Sequence, residues 1–123
     1  MYKILVIDDD VDLLEIIKLL LERSDFIVNT LSPISTIQSV INSFNPDLIL
    51  LDVSLNGSDG RDLCKKLKQN KNTLTIPIIM FSADSGVEKS AYLAGADDFI
   101  SKPFEVSEIL RRINQLLLDN VSS

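Results

Sequence analysis

Ile4-Leu5-Val6-Ile7-Asp8-Asp9, Leu48-Ile49-Leu50-Leu51-Asp52, Ile78-Ile79-Met80-Phe81-Ser82 and Phe99-Ile100-Ser101-Lys102 share one pattern: a short apolar run stops at, or just before, a reactive polar residue. Runs this short and this β-rich, separated by helix-length segments, read as parallel strands buried on both faces of an α/β sheet. Ligands of such sheets bind beyond the carboxyl ends of the strands. The carboxylates, the hydroxyl and the ammonium are therefore expected to meet at one site.

Outward from these runs the chain alternates strand and helix five times. The first strand, about 3–7, leads into a helix over about 11–23, with Asp10 as its N-cap and an apolar stripe of Leu13, Leu14, Ile17, Leu20 and Leu21. A second strand spans about 26–31. Ser32 can cap the next helix, with Pro33 in its first position, and that helix runs to about Phe44. Asn45-Pro46-Asp47 turns into the third strand, and Asn56-Gly57-Ser58-Asp59-Gly60 opens a third helix over about 61–69. Pro77 fits only at the first residue of the fourth strand, which ends at Phe81. A fourth helix over about 87–94 ends at Gly95, the fifth strand covers about 98–101, and the last helix runs over about 105–118 with Ile109, Ile113, Leu116 and Leu117 inward. Residues 1–119 form one domain, and 120–123 read as a tail or the start of a linker.

Composition narrows the function. The 123 residues suffice for one domain and one core. A net charge of −6 disfavours direct contact with nucleic acid or an anionic membrane, which clustered Lys and Arg would favour. The longest apolar stretch near the start is too short for a signal peptide or a membrane span, so a cytoplasmic location is expected. Cys64 is the only cysteine and reads as an inert helix-packing residue. The chain has no histidine, so any phosphohistidine donor belongs to another molecule.

Lys3-Ile4-Leu5-Val6-Ile7-Asp8-Asp9-Asp10, Pro46-Asp47-Leu48-Ile49-Leu50-Leu51-Asp52, Phe81-Ser82-Ala83 and Ala94-Gly95-Ala96-Asp97-Asp98-Phe99-Ile100-Ser101-Lys102-Pro103-Phe104, in this order and spacing, resemble the receiver domain of two-component response regulators. The resemblance covers essentially the whole chain. It implies a (βα)5 doubly wound, five-stranded parallel sheet of order 2-1-3-4-5, the flavodoxin-like or CheY-like arrangement. It also implies Asp52 as phosphoacceptor, Asp8, Asp9, Asp52 and the Ser54 carbonyl as Mg²⁺ ligands, and Ser82 and Lys102 as partners of the phosphoryl oxygens. Phe99 becomes the switch aromatic and Lys102-Pro103 a cis peptide. A histidine kinase or histidine phosphotransfer protein would be the donor, and an effector domain or protein the recipient of the signal. Phosphorylation would alter the face of helix 4, strand 5 and helix 5, which can also support a homodimer; Lys89, Asp97, Asp98, Glu108 and Arg112 are expected to stand exposed there.

Elementary electrostatics supports the same roles. Carboxylates pressed to about 4 Å repel by about 1–4 kcal/mol per pair, which a dication or a proton relieves. Mg²⁺ takes oxygen ligands, few of them from protein, and with Lys102 and Ser82 it would neutralise an in-line phosphoryl transfer to Asp52. Asp10 and Asp12 fall at a helix start and read as helix-stabilising acids. Two positions depart from the family pattern: Asn56 stands where proline is usual, and Ser82 where threonine is more frequent. Ser54 and Asp84 lie where the family tunes loss of the phosphoryl group.

Three other functions compete. A haloacid-dehalogenase-type phosphatase also uses an aspartate nucleophile with Mg²⁺, but needs a second aspartate two positions on, where this chain has Ser54. An FMN carrier on this fold needs a phosphate-binding loop after strand one, and that loop is acidic here. An interaction module that is never phosphorylated would not need the intact acidic set. Whether the chain acts alone or is the N-terminal piece of a longer regulator is left open by the sequence.

Overall fold

The computed structural model describes residues 1–32, 37–55 and 57–122. In chain order the elements are β1 Lys3–Ile7, α1 Val11–Glu22, β2 Ile27–Leu31, α2 Ile37–Phe44, β3 Leu48–Asp52, α3 Gly60–Gln69, β4 Ile78–Ser82, α4 Glu88–Leu93, β5 Asp98–Ser101 and α5 Val106–Ser122. The five strands form one parallel sheet of order β2-β1-β3-β4-β5, as expected. A two-residue antiparallel ladder, Ser54–Leu55 against Ser58–Asp59, closes the loop between β3 and α3. The expectations for Pro33 and Asn56 lie outside the described residues.

Alternation along the strands divides the core in two. Ile4, Val6, Leu48, Leu50, Ile79, Phe81 and Ile100 pack with Leu14, Ile17 and Leu21 of α1 and Ile109, Ile113 and Leu117 of α5. Leu5, Ile7, Ile49, Leu51, Ile78, Met80 and Phe99 pack on the other side with Ile41 of α2, Cys64 and Leu67 of α3 and Ala91 of α4. Both faces are covered, which is why the strands read as unbroken apolar runs. Burial pushes the Cys64 thiol up to about 11, so it stays protonated.

Four boundaries differ from expectation. Pro77 lies just before β4, where its carbonyl accepts from Ile49 N at 3.0 Å and its missing N–H costs nothing. Strand β4 continues to Ser82. A 3₁₀ turn over Ser85–Val87, capped by Asp84, takes the place of the first residues expected of α4. Helix α5 continues to Ser122, through the segment expected to be a tail, since neither Gly nor Pro interrupts it.

Candidate functional site

The parallel register sets the carboxyl ends of β1, β3, β4 and β5 side by side. Ile7 lies opposite Leu51, Asp52 opposite Phe81, and Ser82 opposite Ser101. Beyond these ends three side chains turn back in the same way. Asp8 Oδ1 accepts from Asp10 N at 3.0 Å, Asp52 Oδ1 from Ser54 N at 3.1 Å, and Ser82 Oγ from Asp84 N at 3.0 Å. Each fixes a tight turn where the chain leaves the sheet.

Lys102 closes the site. Its Nζ donates to Asp8 Oδ2 at 3.2 Å and to Asp52 Oδ2 at 3.1 Å, joining strands fifty and more residues apart in sequence. Three features place it. Lys102 N donates to Ser82 O at 2.8 Å, the Lys102-Pro103 peptide is cis, and the ammonium sits 4.9 Å from the centroid of the Phe81 ring. Phe81 is in turn braced edge-on by Phe104 at 5.9 Å. Phe81 is a site residue that sequence reading missed; its signal was its position one residue before Ser82, on the side of the sheet shared with Asp52.

The charges do not cancel. Asp8 and Asp52 are 1% and 5% exposed, and one ammonium serves both. Burial holds the Asp52 carboxyl up at about 6, the Ser54 amide pulls it down, and the neighbouring Asp8 carboxylate raises it again. Asp9, next to Asp8 in the chain, has a buried Oδ1 that lacks any hydrogen-bond partner among the described residues. An orphaned buried carboxylate oxygen is costly unless a cation or proton reaches it. Among the described residues no three acidic, histidine or cysteine side chains converge tightly enough to hold a metal ion by themselves; Lys102 stands between Asp8 and Asp52.

The remaining expected site residues are Ser82, Phe99 and Ser54. Ser82 is buried but keeps its hydroxyl on Asp84 N, and alternation from Ile78 and Met80 puts it on the Phe99 side of the sheet. The Phe99 ring is buried, 3% exposed. The contact that Ser54 makes is through its amide. Asp10 caps α1 through Leu13 N, as expected of a helix-start acid. Sequence reading also missed Gly60: a Cβ there would fall 2.0 Å from the Asp52 carbonyl oxygen, so the start of α3 rests directly on that backbone.

Of the charges expected to stand exposed on the α4-β5-α5 face, Lys89 and Asp97 are exposed and Asp98, Glu108 and Arg112 are half-buried, and four of the five are paired. Asp97 turns to the opposite end of the sheet and pairs with Lys68. Arg112 donates to both Asp98 and Glu108, and Tyr92 Oη donates to Asp98. Of the five, Lys89 alone makes no ion pair among the described residues. Such pairing depends on where α5 crosses β5, which no local pattern encodes.

The model of the response regulator receiver domain family matches residues 4–114. The heme response regulator HssR of Staphylococcus epidermidis is 34% identical over 119 residues, covering 95% of this chain and 52% of the relative. The alkaline phosphatase synthesis transcriptional regulatory protein PhoP of Bacillus subtilis is 39% identical over 117 residues, covering 94% and 48%. The chain thus spans about half the length of the relatives it matches. Among solved structures, the receiver domain of NtrX from Brucella abortus superposes with a TM-score of 0.84 at 30% identity, covering 93% of this chain and 97% of that one. The BeF3-activated receiver domain of RstA from Klebsiella pneumoniae does so at 0.84 and 28%, covering 94% and 97%. Family model, relatives and fold agree: this chain belongs to the response regulator receiver domain family.

Proposed function

We propose that Asp52 accepts a phosphoryl group from a phosphohistidine on a histidine kinase or histidine phosphotransfer protein, and that the chain serves as the switch of a phosphorelay. The observation that carries this reading is the under-neutralised cluster: two buried carboxylates share one ammonium, and a third has an oxygen with no partner. Such a site favours added positive charge, and a bound Mg²⁺ would supply neutralisation of a phosphoryl group. Its oxygen donors suit that ion, which keeps water and phosphate ligands and needs few carboxylates. Asp8, Asp9 and Asp52, with the backbone at Ser54, would hold it. Lys102 is already within hydrogen-bond reach of Asp52 and can follow an oxygen of the phosphoryl group, while the Ser82 hydroxyl, which only accepts from Asp84 N, can exchange its present direction for one that donates its proton to another phosphoryl oxygen. Since Ser82 and Phe99 share one side of the sheet, that exchange would be felt at the ring and then at the α4-β5-α5 face, the proposed surface for an effector or a second copy.

The chain would catalyse only its own phosphorylation and dephosphorylation, in the cytoplasm, without itself touching nucleic acid. No helix among the described residues is long and apolar enough to cross a membrane. Acetyl phosphate or beryllofluoride, with and without Mg²⁺, tests the assignment. Wild type should gain one phosphoryl group by mass spectrometry in a Mg²⁺-dependent manner, and Asp52→Asn should gain none. Equal modification of the variant would remove Asp52 from the role.

A further inference from the structure

The start of α3 is fastened both to the Asp52 backbone and to α4. Gly60 donates its amide to Val53 O at 2.7 Å, and its α-carbon lies so near the Asp52 carbonyl that no side chain fits there. The first turn of α3 therefore cannot shift without that backbone. From this turn Arg61 reaches across. Asp59 caps the helix by accepting from Arg61 N at 2.9 Å, and it grips the guanidinium with both oxygens, Nε at 2.9 and 3.1 Å and Nη2 at 2.6 Å. A planar fork held this way has one orientation. Its free branch, Nη1, donates to Ser90 Oγ on α4 at 2.8 Å. The Ser90 hydroxyl gives its own proton to Val87 O at 2.8 Å, so its oxygen can only accept from Arg61.

Helix α4 is held from a second direction as well. Ser82 Oγ accepts from Asp84 N, and Asp84 Oδ1 accepts from Gly86 N at 2.8 Å, which leads along the chain into the same first turn. The two connections enclose a cleft of about 260 Å³ beside Ser54 and Ser82. One runs along the chain from Ser82. The other runs through space from Asp52 by way of Gly60, Arg61 and Ser90.

We infer that Arg61 is a positioning residue that ties the state of Asp52 to helix α4 through Ser90, in parallel with Ser82 and Phe99. The inference rests on the proposal that Asp52 is the phosphoacceptor. A phosphoryl group on Asp52 that draws the Ser82 hydroxyl toward it pulls through Asp84 N on the first turn of α4, while Gly60, Arg61 and Ser90 tie that same turn to the Asp52 backbone, so the two anchors of α4 are loaded differently in the two states. A contact whose strength differs between the unmodified and modified states changes the equilibrium of modification by the same factor. A contact equal in both changes stability alone.

The test uses Mg²⁺ and beryllofluoride on wild type, Ser90→Ala, Arg61→Gln and the double variant, followed by NMR at the Ser54 amide and at the amides of residues 88–93. Each single variant should shift the half-saturating beryllofluoride concentration by about three-fold or more, and the double variant no further than either single. The α4 amides should respond less than in wild type while the Ser54 amide responds fully. Arg61→Lys keeps the charge beside Asp59 without the second branch, and should behave like Arg61→Gln. Unchanged half-saturation with only a lowered melting temperature would overturn the inference, as would wild-type behaviour from Arg61→Lys. A wild-type chain with no response at all would instead overturn the phosphoacceptor proposal, and this inference with it.

Discussion

Each end of the sheet carries a lysine bound to aspartate, and the two ends are built to opposite effect. At the amino end Asp97 Oδ2 accepts from Lys68 Nζ at 2.9 Å and from Ile78 N at 2.8 Å, while Lys68 also donates to the carbonyls of Ile76 and Leu74. One carboxylate meets one ammonium, and each has further neutral partners. At the carboxyl end Lys102 divides itself between Asp8 and Asp52, and Asp9 keeps an unpartnered oxygen. The first arrangement fastens α3 to the strand edge. The second leaves negative charge uncompensated inside the protein, a condition that favours the binding of added positive charge.

Removing each lysine is the most direct way to break this comparison, and the carboxyl end should suffer more. Lys102→Met leaves Asp8 and Asp52 facing each other without their shared ammonium, both nearly fully buried. Losing one partner of a buried ionic cluster typically costs about 3–5 kcal/mol. Urea unfolding in metal-free buffer should show a loss near the lower figure at pH 7 and a smaller one at pH 5, where Asp52 can take up a proton instead. A loss independent of pH would mean that packing against Phe81, and not charge, accounts for the lysine.

How far the sequence carried this picture follows the same division. The strands were readable because burial on both faces leaves little choice but Val, Ile and Leu, and Asp8, Asp52 and Lys102 converge because strand ends in one register must. Ser82 was harder: its order in the chain puts it at the site, but the alternation that starts at Ile78 turns it toward Phe99. Pairings made through space were not readable at all. Asp97 with Lys68, Arg112 with Asp98, and Arg61 with Ser90 depend on helix placement. So does the cation–π seat of Lys102 on Phe81, whose ring read only as strand filler.

Proton linkage sharpens the comparison without removing any lysine. The folded-state pKa of Asp52, about 6, lies above its ordinary value of 3.8. Between those values the native state holds a proton that the unfolded chain has released. Stability of the metal-free protein should therefore fall as pH rises from about 4 through about 6 and level off above, by at most about 3 kcal/mol. Asp52→Asn should flatten this fall and, at pH 7, unfold at higher urea than wild type. If Asp52→Asn were less stable than wild type at pH 7, the uncompensated charge would not be the dominant feature of this end.

The smallest effect should come from Lys68→Met, and its value lies in what stays unchanged. The Asp97 side chain is 38% exposed and keeps the Ile78 amide, so water and that amide replace most of the lost partner. A loss of about 1 kcal/mol is expected, part of it from the carbonyls of Ile76 and Leu74. The proposed Mg²⁺ site should add about 2.7 kcal/mol of stability at 100 times the dissociation constant, an increment that should survive in Lys68→Met and largely disappear in Asp9→Asn. Lys68 sits against Gly95, where a Cβ would approach its Cγ to 2.9 Å, so the amino end has a geometric tie to the α4-β5 turn. If Lys68→Met also reduced the beryllofluoride-induced changes over residues 88–101, the two ends would be coupled through that turn, and the amino end would share in signalling as well as in fastening the fold.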